Sequence, residues 1–198
     1  MSKPFWHEPG VTRNQRWNKH GLSGATVWLT GLSGSGKSTI ANELARELLN
    51  TSRLAYILDA DNLRHGLNSD LGFSDTDRAE NIRRVAEVAC LVADSGVVAI
   101  VPIISPFAAS RDHARKIHRD NNLRFIEVHV ATPIAECERR DTKGLYAKVR
   151  NGEMTGLSGV DSVYEPPNSP EVKVGANNES LSESVAMILA QLLVKAGK

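Results

Sequence analysis

Unbroken apolar runs alternate with longer stretches of helical period along this chain. Thr26 to Thr30 predicts a short apolar strand and Leu54 to Leu58 a second, while the continuous runs Val97 to Ile104 and Phe125 to Val130 suit central parallel strands covered on both faces. Glu171 to Val174 reads as a short last strand. Between the runs, Lys37 to about Asn50 predicts a helix. Asp75 to Ser95 predicts a long one, with Ile82, Val85, Ala86, Ala89 and Val92 at helical spacing and Gly96 to end it. Ala108 to Arg119, Pro133 to Val149 and Leu181 to Lys195 complete the helical set. The alternation predicts a three-layer α/β fold with a mainly parallel central sheet, helices on both faces and right-handed crossovers. In such sheets ligands bind beyond the carboxyl ends of the strands, which places Gly31, Asp59, Ser105 and the segment after Val130 around one crevice.

The remaining stretches carry no period. Residues 1 to 24 are polar and include Trp6, His7, Trp17 and His20. They read as an arm, either packed on the body or a neighbouring subunit, or exposed and disordered. Residues 25 to 198 then form one domain. Residues 151 to 170, rich in glycine and proline, predict irregular structure.

Composition narrows the functional classes. A chain of 198 residues suffices for one α/β domain with a substantial core. Its formal net charge of +1 supplies no field to recruit nucleic acid or an anionic membrane, and no basic stripe with interleaved aromatics appears. No apolar run approaches the roughly 20 residues that span a bilayer. The first ten residues lack the apolar core of a secretion signal. Cys90 and Cys137 have no metal-ligand spacing and read as reduced structural thiols. A cytoplasmic protein without nucleic-acid or membrane partners is the expectation.

The chemistry is concentrated after the first strand. Gly31, Gly36, Lys37 and Ser38 satisfy G-x-x-x-x-G-K-[ST], placed between an apolar strand and a helix. Glycines let the backbone curl around a polyphosphate, N–H groups point inward, and the positive end of the following helix adds to them. Lys37 can reach the β- and γ-phosphates, and the Ser38 hydroxyl can ligate Mg²⁺. No Asn-Lys-x-Asp guanine reader occurs, and the third strand ends in Ile-Ile-Ser-Pro rather than an acidic switch, both of which argue against a GTPase. Carboxylates stand instead after the second strand, as Asp59 and Asp61. They suit metal-bound water or acceptance of a hydroxyl proton, although Asp61 also suits a helix cap. Arg64 and Arg78 suit a second anionic substrate, whereas Arg83 and Arg84 read as a solvated face. The charged stretch 136 to 150, followed by residues 151 to 163, reads as a mobile lid.

These motifs together resemble the adenylylsulfate kinase (APS kinase) family of P-loop kinases. The resemblance rests on ATVWLTGLSGSGKSTIA, LDADNLRHGLNSDLGFSDTDRAENIRRVAEVA, ISPF and ERRDTKGLYAKVRNGEMTGLSGVDSVYE, and runs from Trp6 to about Glu171. It implies ATP-dependent phosphorylation of the ribose 3′-hydroxyl of adenosine 5′-phosphosulfate (APS), giving 3′-phosphoadenosine 5′-phosphosulfate (PAPS). It implies a homodimer with a lid over residues 139–163; ATP sulfurylase is a candidate companion that the sequence neither supports nor excludes. Gly31, Leu32, Ser33, Gly34, Ser35, Gly36, Lys37, Ser38 and Thr39 would hold ATP with Arg139, and Ser38 and Asp59 would hold Mg²⁺. Asp61, Asn62, Leu63, Arg64, Phe73, Arg78, Asn81, Ile104, Ser105, Lys143 and Leu157 would form the APS pocket, with Phe73 stacked on adenine. Lys37, Asp59, Asp61 and Ser105 are the expected catalytic set; Asp59 is favoured as base without being separated from Asp61. Ser105 matches a phosphoserine position of the family. Arg140 shares with Arg139 the expectation of a transition-state or adenine contact.

Two positions depart from the family pattern. Ala60 replaces the glycine of Asp-Gly-Asp, and Leu157 replaces a phenylalanine that would sandwich the adenine. Base stacking is worth about 1–3 kcal/mol, so the second change should weaken APS binding at the lower end of roughly 5- to 150-fold. A kinase for another small hydroxyl acceptor, such as a nucleoside or sugar acid, and a non-catalytic nucleotide sensor are the alternatives.

Overall fold

The computed structural model describes Phe5 and residues 7–194; the expectations for Trp6 and Lys195 lie outside them. Five strands form one sheet: β1 (Ala25–Thr30), β2 (Ala55–Ile57), β3 (Val98–Pro102), β4 (Arg124–Val130) and β5 (Val172–Val174). Their order is β2-β3-β1-β4-β5, and every pairing is parallel. β1 is therefore central, and the loop that follows it leaves from the middle of the carboxyl edge. Expected strand ends move by one or two residues: β1 and β4 begin one residue earlier and β5 begins one later. β2 loses one at each end, where Leu54 is exposed, and β3 loses one at its start and two at its end.

Alternation along β1 divides the core. Val27 and Leu29 face α2 (Lys37–Asn50) and α8 (Leu181–Leu193), packing on Ala41, Leu44, Leu48, Ile188 and Leu192. Trp28 faces the opposite layer, α4 (Asp75–Asp94) and α5 (Ala108–Asp120), among Ile82, Val85, Ala86, Ala89 and Ala114. Successive strand residues point to opposite faces, so a strand buried on both is largely apolar, and the buried Thr26, Thr30 and Glu127 are each hydrogen-bonded. No helix among the described residues is long and apolar enough to cross a membrane.

Within the arm, residues 13–20 form a helix. Helix α1 (Arg13–His20) opens with a capping box of Thr12 and Gln15 and closes on Gly21 at φ +61°. Arg13 and Arg16 pair with the two carboxylate oxygens of Asp94, and Trp17 Nε1 donates to the Asp94 carbonyl at 3.0 Å. Trp17 also packs on Cys90, Ala93 and Leu123. Of the readings of the arm, packing on the body is the one observed for α1.

The single helix expected over Pro133 to Val149 is two: α6 (Ile134–Arg140) and α7 (Leu145–Arg150). Asp141 at φ +28° and Gly144 at φ +65° break the path, and the Asp141 carboxylate accepts from the Tyr146 and Ala147 amides to start α7. Residues 151–170 contain no helix and only an isolated Ser158–Ser162 bridge.

Candidate active site

Backbone geometry at the end of β1 explains why this loop needs glycine. A Cβ on Gly31 would lie 2.5 Å from the Val130 carbonyl oxygen, and Gly34, at φ +73°, faces the Cys137 carbonyl. Thr132 Oγ1 donates to the Ser35 carbonyl at 2.8 Å, tying the loop to the segment after β4. Lys37 lies buried beneath the loop, its Nζ donating to the Gly31 carbonyl at 3.0 Å and the Leu32 carbonyl at 2.7 Å. Burial lowers its pKa to about 8, against a smaller opposing pull from nearby groups including Asp61 and Asp59.

The two aspartates occupy different positions. Asp59 caps the one-turn helix α3 (Ala60–Leu63), its Oδ1 accepting from the Asp61 and Asn62 amides at 2.9 and 3.2 Å. The cap expected at Asp61 is thus at Asp59. Its other oxygen lies 3.4 Å from Ser38 Oγ. Asp61 extends to an ion pair with Lys143, which comes from the turn between α6 and α7. The Ser38 hydroxyl and Asp59 carboxylate are hard oxygen donors beside a phosphate loop, the donor set that suits Mg²⁺ sharing its shell with phosphates and water.

A cavity of about 190 Å³ opens beside the loop. Of the eleven residues expected in the APS pocket, nine line it: Asp61, Arg64, Phe73, Arg78, Asn81, Ile104, Ser105, Lys143 and Leu157. Asn62 and Leu63 do not. On a single helical turn, 60, 61 and 64 share a face, whereas Leu63 turns to the α4 side of the core. The Arg64 guanidinium lies 4.4 Å from the Phe73 ring centre, and its NH1 donates to the Leu71 and Gly72 carbonyls, fixing the turn that presents Phe73. Asn81 is buried and accepts from Asn68 Nδ2 at 2.9 Å. Ser105 is buried at φ +41°; its hydroxyl accepts from Trp28 Nε1 at 3.1 Å and its carbonyl accepts from Arg111 at 2.7 Å.

Arg78 joins helix α4 to the lid. It donates to the Phe73 carbonyl, to Ser158 Oγ at 3.2 Å and to the Gly156 carbonyl at 2.6 Å. The lid has a small core of its own, in which Cys137, Tyr146 and Leu157 are buried against Leu32 of the loop. Tyr146 Oη donates to the Ser33 carbonyl at 2.9 Å. A second cavity lies across the loop, walled by Ser35, Gly36, Thr39, Thr132, Arg140 and Asn178 among others.

Comparison with known proteins fits this arrangement. The family model for adenylylsulphate kinase matches residues 23–175. The adenylyl-sulfate kinase of Citrobacter koseri is 54% identical over 95% of this chain and 90% of its own length. That of Clostridium kluyveri is 50% identical over 96% and 94%. The chain belongs to the adenylylsulfate kinase family. The structure of the Mycobacterium tuberculosis APS kinase CysC in complex with AMPPNP and APS superposes with a TM-score of 0.84 at 51% identity, covering 86% of this chain and 98% of that one.

Within this adenylylsulfate kinase fold, Arg139 departs from its expected place. It is exposed, pairs with Glu136 and lines neither cavity, because a step of one residue along α6 turns it outward. Arg140 also pairs with Glu136, but its NH1 lies 3.8 Å from where a Gly36 Cβ would stand. Arg83 and Arg84 sit on the surface with Glu80, Glu87 and Asp70, as a solvated face should. Sequence reasoning missed Ile82, Ile103, Leu145 and Met154 in the acceptor wall, since each looks like ordinary core or loop. It also missed Thr132 and Asn178 in the second wall. The rule that ligands gather beyond strand carboxyl ends points at both, one after β4 and one after β5.

Proposed function

We propose that this chain is an ATP:adenylylsulfate 3′-phosphotransferase, moving the γ-phosphoryl group of ATP to the 3′-hydroxyl of APS to give PAPS and ADP. The observation that carries the reading is the shared wall: nine residues assigned to the acceptor line one cavity, and Ser33 of the phosphate loop lines it too. Two nucleotides can therefore meet at the loop without crossing solvent.

The loop amides, Lys37, Ser38 and Thr39 hold the donor phosphates, and Arg140 replaces Arg139 as the cation over the donor side. Arg64 and Arg78 hold the phosphosulfate end of the acceptor, and Phe73 receives its adenine. What supports a division between the aspartates is their placement: Asp59 stands at Ser38, on the metal side, while Asp61 lines the acceptor cavity. Asp61, rather than the originally favoured Asp59, accepts the hydroxyl proton as the new O–P bond forms and the bond to ADP breaks. Mg²⁺, when bound, neutralises charge on the β- and γ-phosphate oxygens. Ser105 serves as wall, its hydroxyl accepting from Trp28 Nε1. The lid excludes water once the acceptor is seated.

The test is ADP release with ATP, Mg²⁺ and a panel of acceptors. Saturation at low APS concentration, with adenosine and gluconate inert, supports the reading. A preferred nucleoside or sugar acid would replace it, and binding of ATP and APS without turnover would make the chain a sensor. We also propose a homodimer, as the family resemblance implies, in the cytoplasm, as the composition suggests, with ATP sulfurylase as a candidate companion; a solution mass of one chain would remove the dimer.

A further inference from the structure

A phosphate-binding loop turns successive N–H groups toward its ligand, and so turns the carbonyls of the same peptides away. Those carbonyls need donors. Lys37 serves the Gly31 and Leu32 oxygens, but the next one, on Ser33, takes the Tyr146 hydroxyl at 2.9 Å. That donor belongs to the lid. In a planar trans peptide the C=O and N–H point in opposite directions, so holding the Ser33 oxygen sets the direction of the Gly34 N–H. Gly34 sits at φ +73° with no side chain to fix it, which makes the external anchor matter.

Tyr146 is itself placed by the acceptor side. Only 2% exposed, it is buried with Cys137 and Leu157 in the small core of the lid. The residues on either side of Leu157 are the two that Arg78 grips, through the Gly156 carbonyl and the Ser158 hydroxyl. A continuous path thus runs from the acceptor cavity through Arg78, Leu157 and Tyr146 to the Ser33–Gly34 peptide. We infer that Tyr146 is a positioning residue through which closure over the acceptor aims the Gly34 amide at the donor phosphates.

The inference rests on the reaction proposed above and is tested separately from it. Tyr146→Phe keeps the ring and its packing and removes the hydroxyl, with its bond to the Ser33 carbonyl and its contact with the Cys137 thiol. Leaving this half-buried carbonyl without its donor should lower kcat roughly tenfold, with the KM for APS changed by less than about twofold. The Gly34 amide resonance in glycine-labelled protein should shift in the variant, without nucleotide present. Both measurements are made well below the variant's own melting midpoint, so loss of fold cannot produce them. The role requires both results. An unmoved Gly34 resonance, a kcat within twofold of wild type, or a loss confined to the KM for APS overturns it. A wild-type chain with no APS-dependent turnover would instead overturn the reaction, and the Gly34 shift would still report on the anchor.

Discussion

Residues 31–38 and residues 134–165 face each other across the site and keep their shapes by different means. The loop carries most of its instructions locally, in glycines at positive φ, a close approach to Val130 that only glycine permits, and a lysine folded beneath its own carbonyls. It takes two outside anchors, the Thr132 and Tyr146 hydroxyls. The lid has two helices of seven and six residues, too short to be stable alone. It depends on a buried cluster of Cys137, Tyr146 and Leu157 and on hydrogen bonds from Arg78, a residue outside it. A largely self-supporting phosphate loop therefore stands beside a cover whose shape is borrowed from its neighbours.

Substitutions can break that contrast from either side. Lys37→Ala should lower kcat by about 10³-fold or more, because its charge acts on the transferring phosphoryl group. Coupled ADP release measures it, and near-normal turnover would contradict the assignment. Arg78→Met should act on the cover instead. Losing charge-assisted bonds to the lid should raise the KM for APS by roughly 10- to 150-fold while the KM for ATP moves little; equal changes in both would merge the two regions.

A pH titration sharpens the donor side. The Lys37 pKa of about 8 reflects burial in the free protein. Bound phosphates favour the charged form and raise it. ATP affinity should therefore be flat below that pH and weaken towards about tenfold per pH unit above it, with proton uptake on binding. Calorimetry in two buffers of different ionisation enthalpy reads the uptake, and a flat affinity above that pH would show that Lys37 keeps its proton without help. The smallest effect concerns position 157. Leu157→Phe should tighten APS binding by up to about fivefold through added contact with adenine, leaving ATP affinity unchanged. A weaker APS affinity would mean that the lid core has no room for the ring.

The same contrast decides what could be read from the sequence. The layers, the parallel sheet and the loop follow from apolar runs and glycine spacing, which act within a few residues. Helix α1 escaped because Trp17 is its one large apolar anchor; the cues present were Thr12 with Gln15 and then Gly21. The break between α6 and α7 was signalled by Gly144, yet the apolar and charged spacing ran across it without interruption. Arg139 and Arg140 could not be separated, since two neighbours on so short a helix point to different sides according to how the helix is docked. Asp59 and Asp61 likewise divide by tertiary placement, one at Ser38 and the other at Lys143.

The attachment of α1 carries one more consequence. A single acidic side chain, Asp94, receives both arginines of that helix, and all three groups are between a quarter and a third exposed. Dissolved ions can compete for such a cluster, whereas the apolar layers around β1 are out of their reach. Ionic strength is therefore a handle on how firmly α1 stays seated, while leaving the carboxyl edge of the sheet as it was.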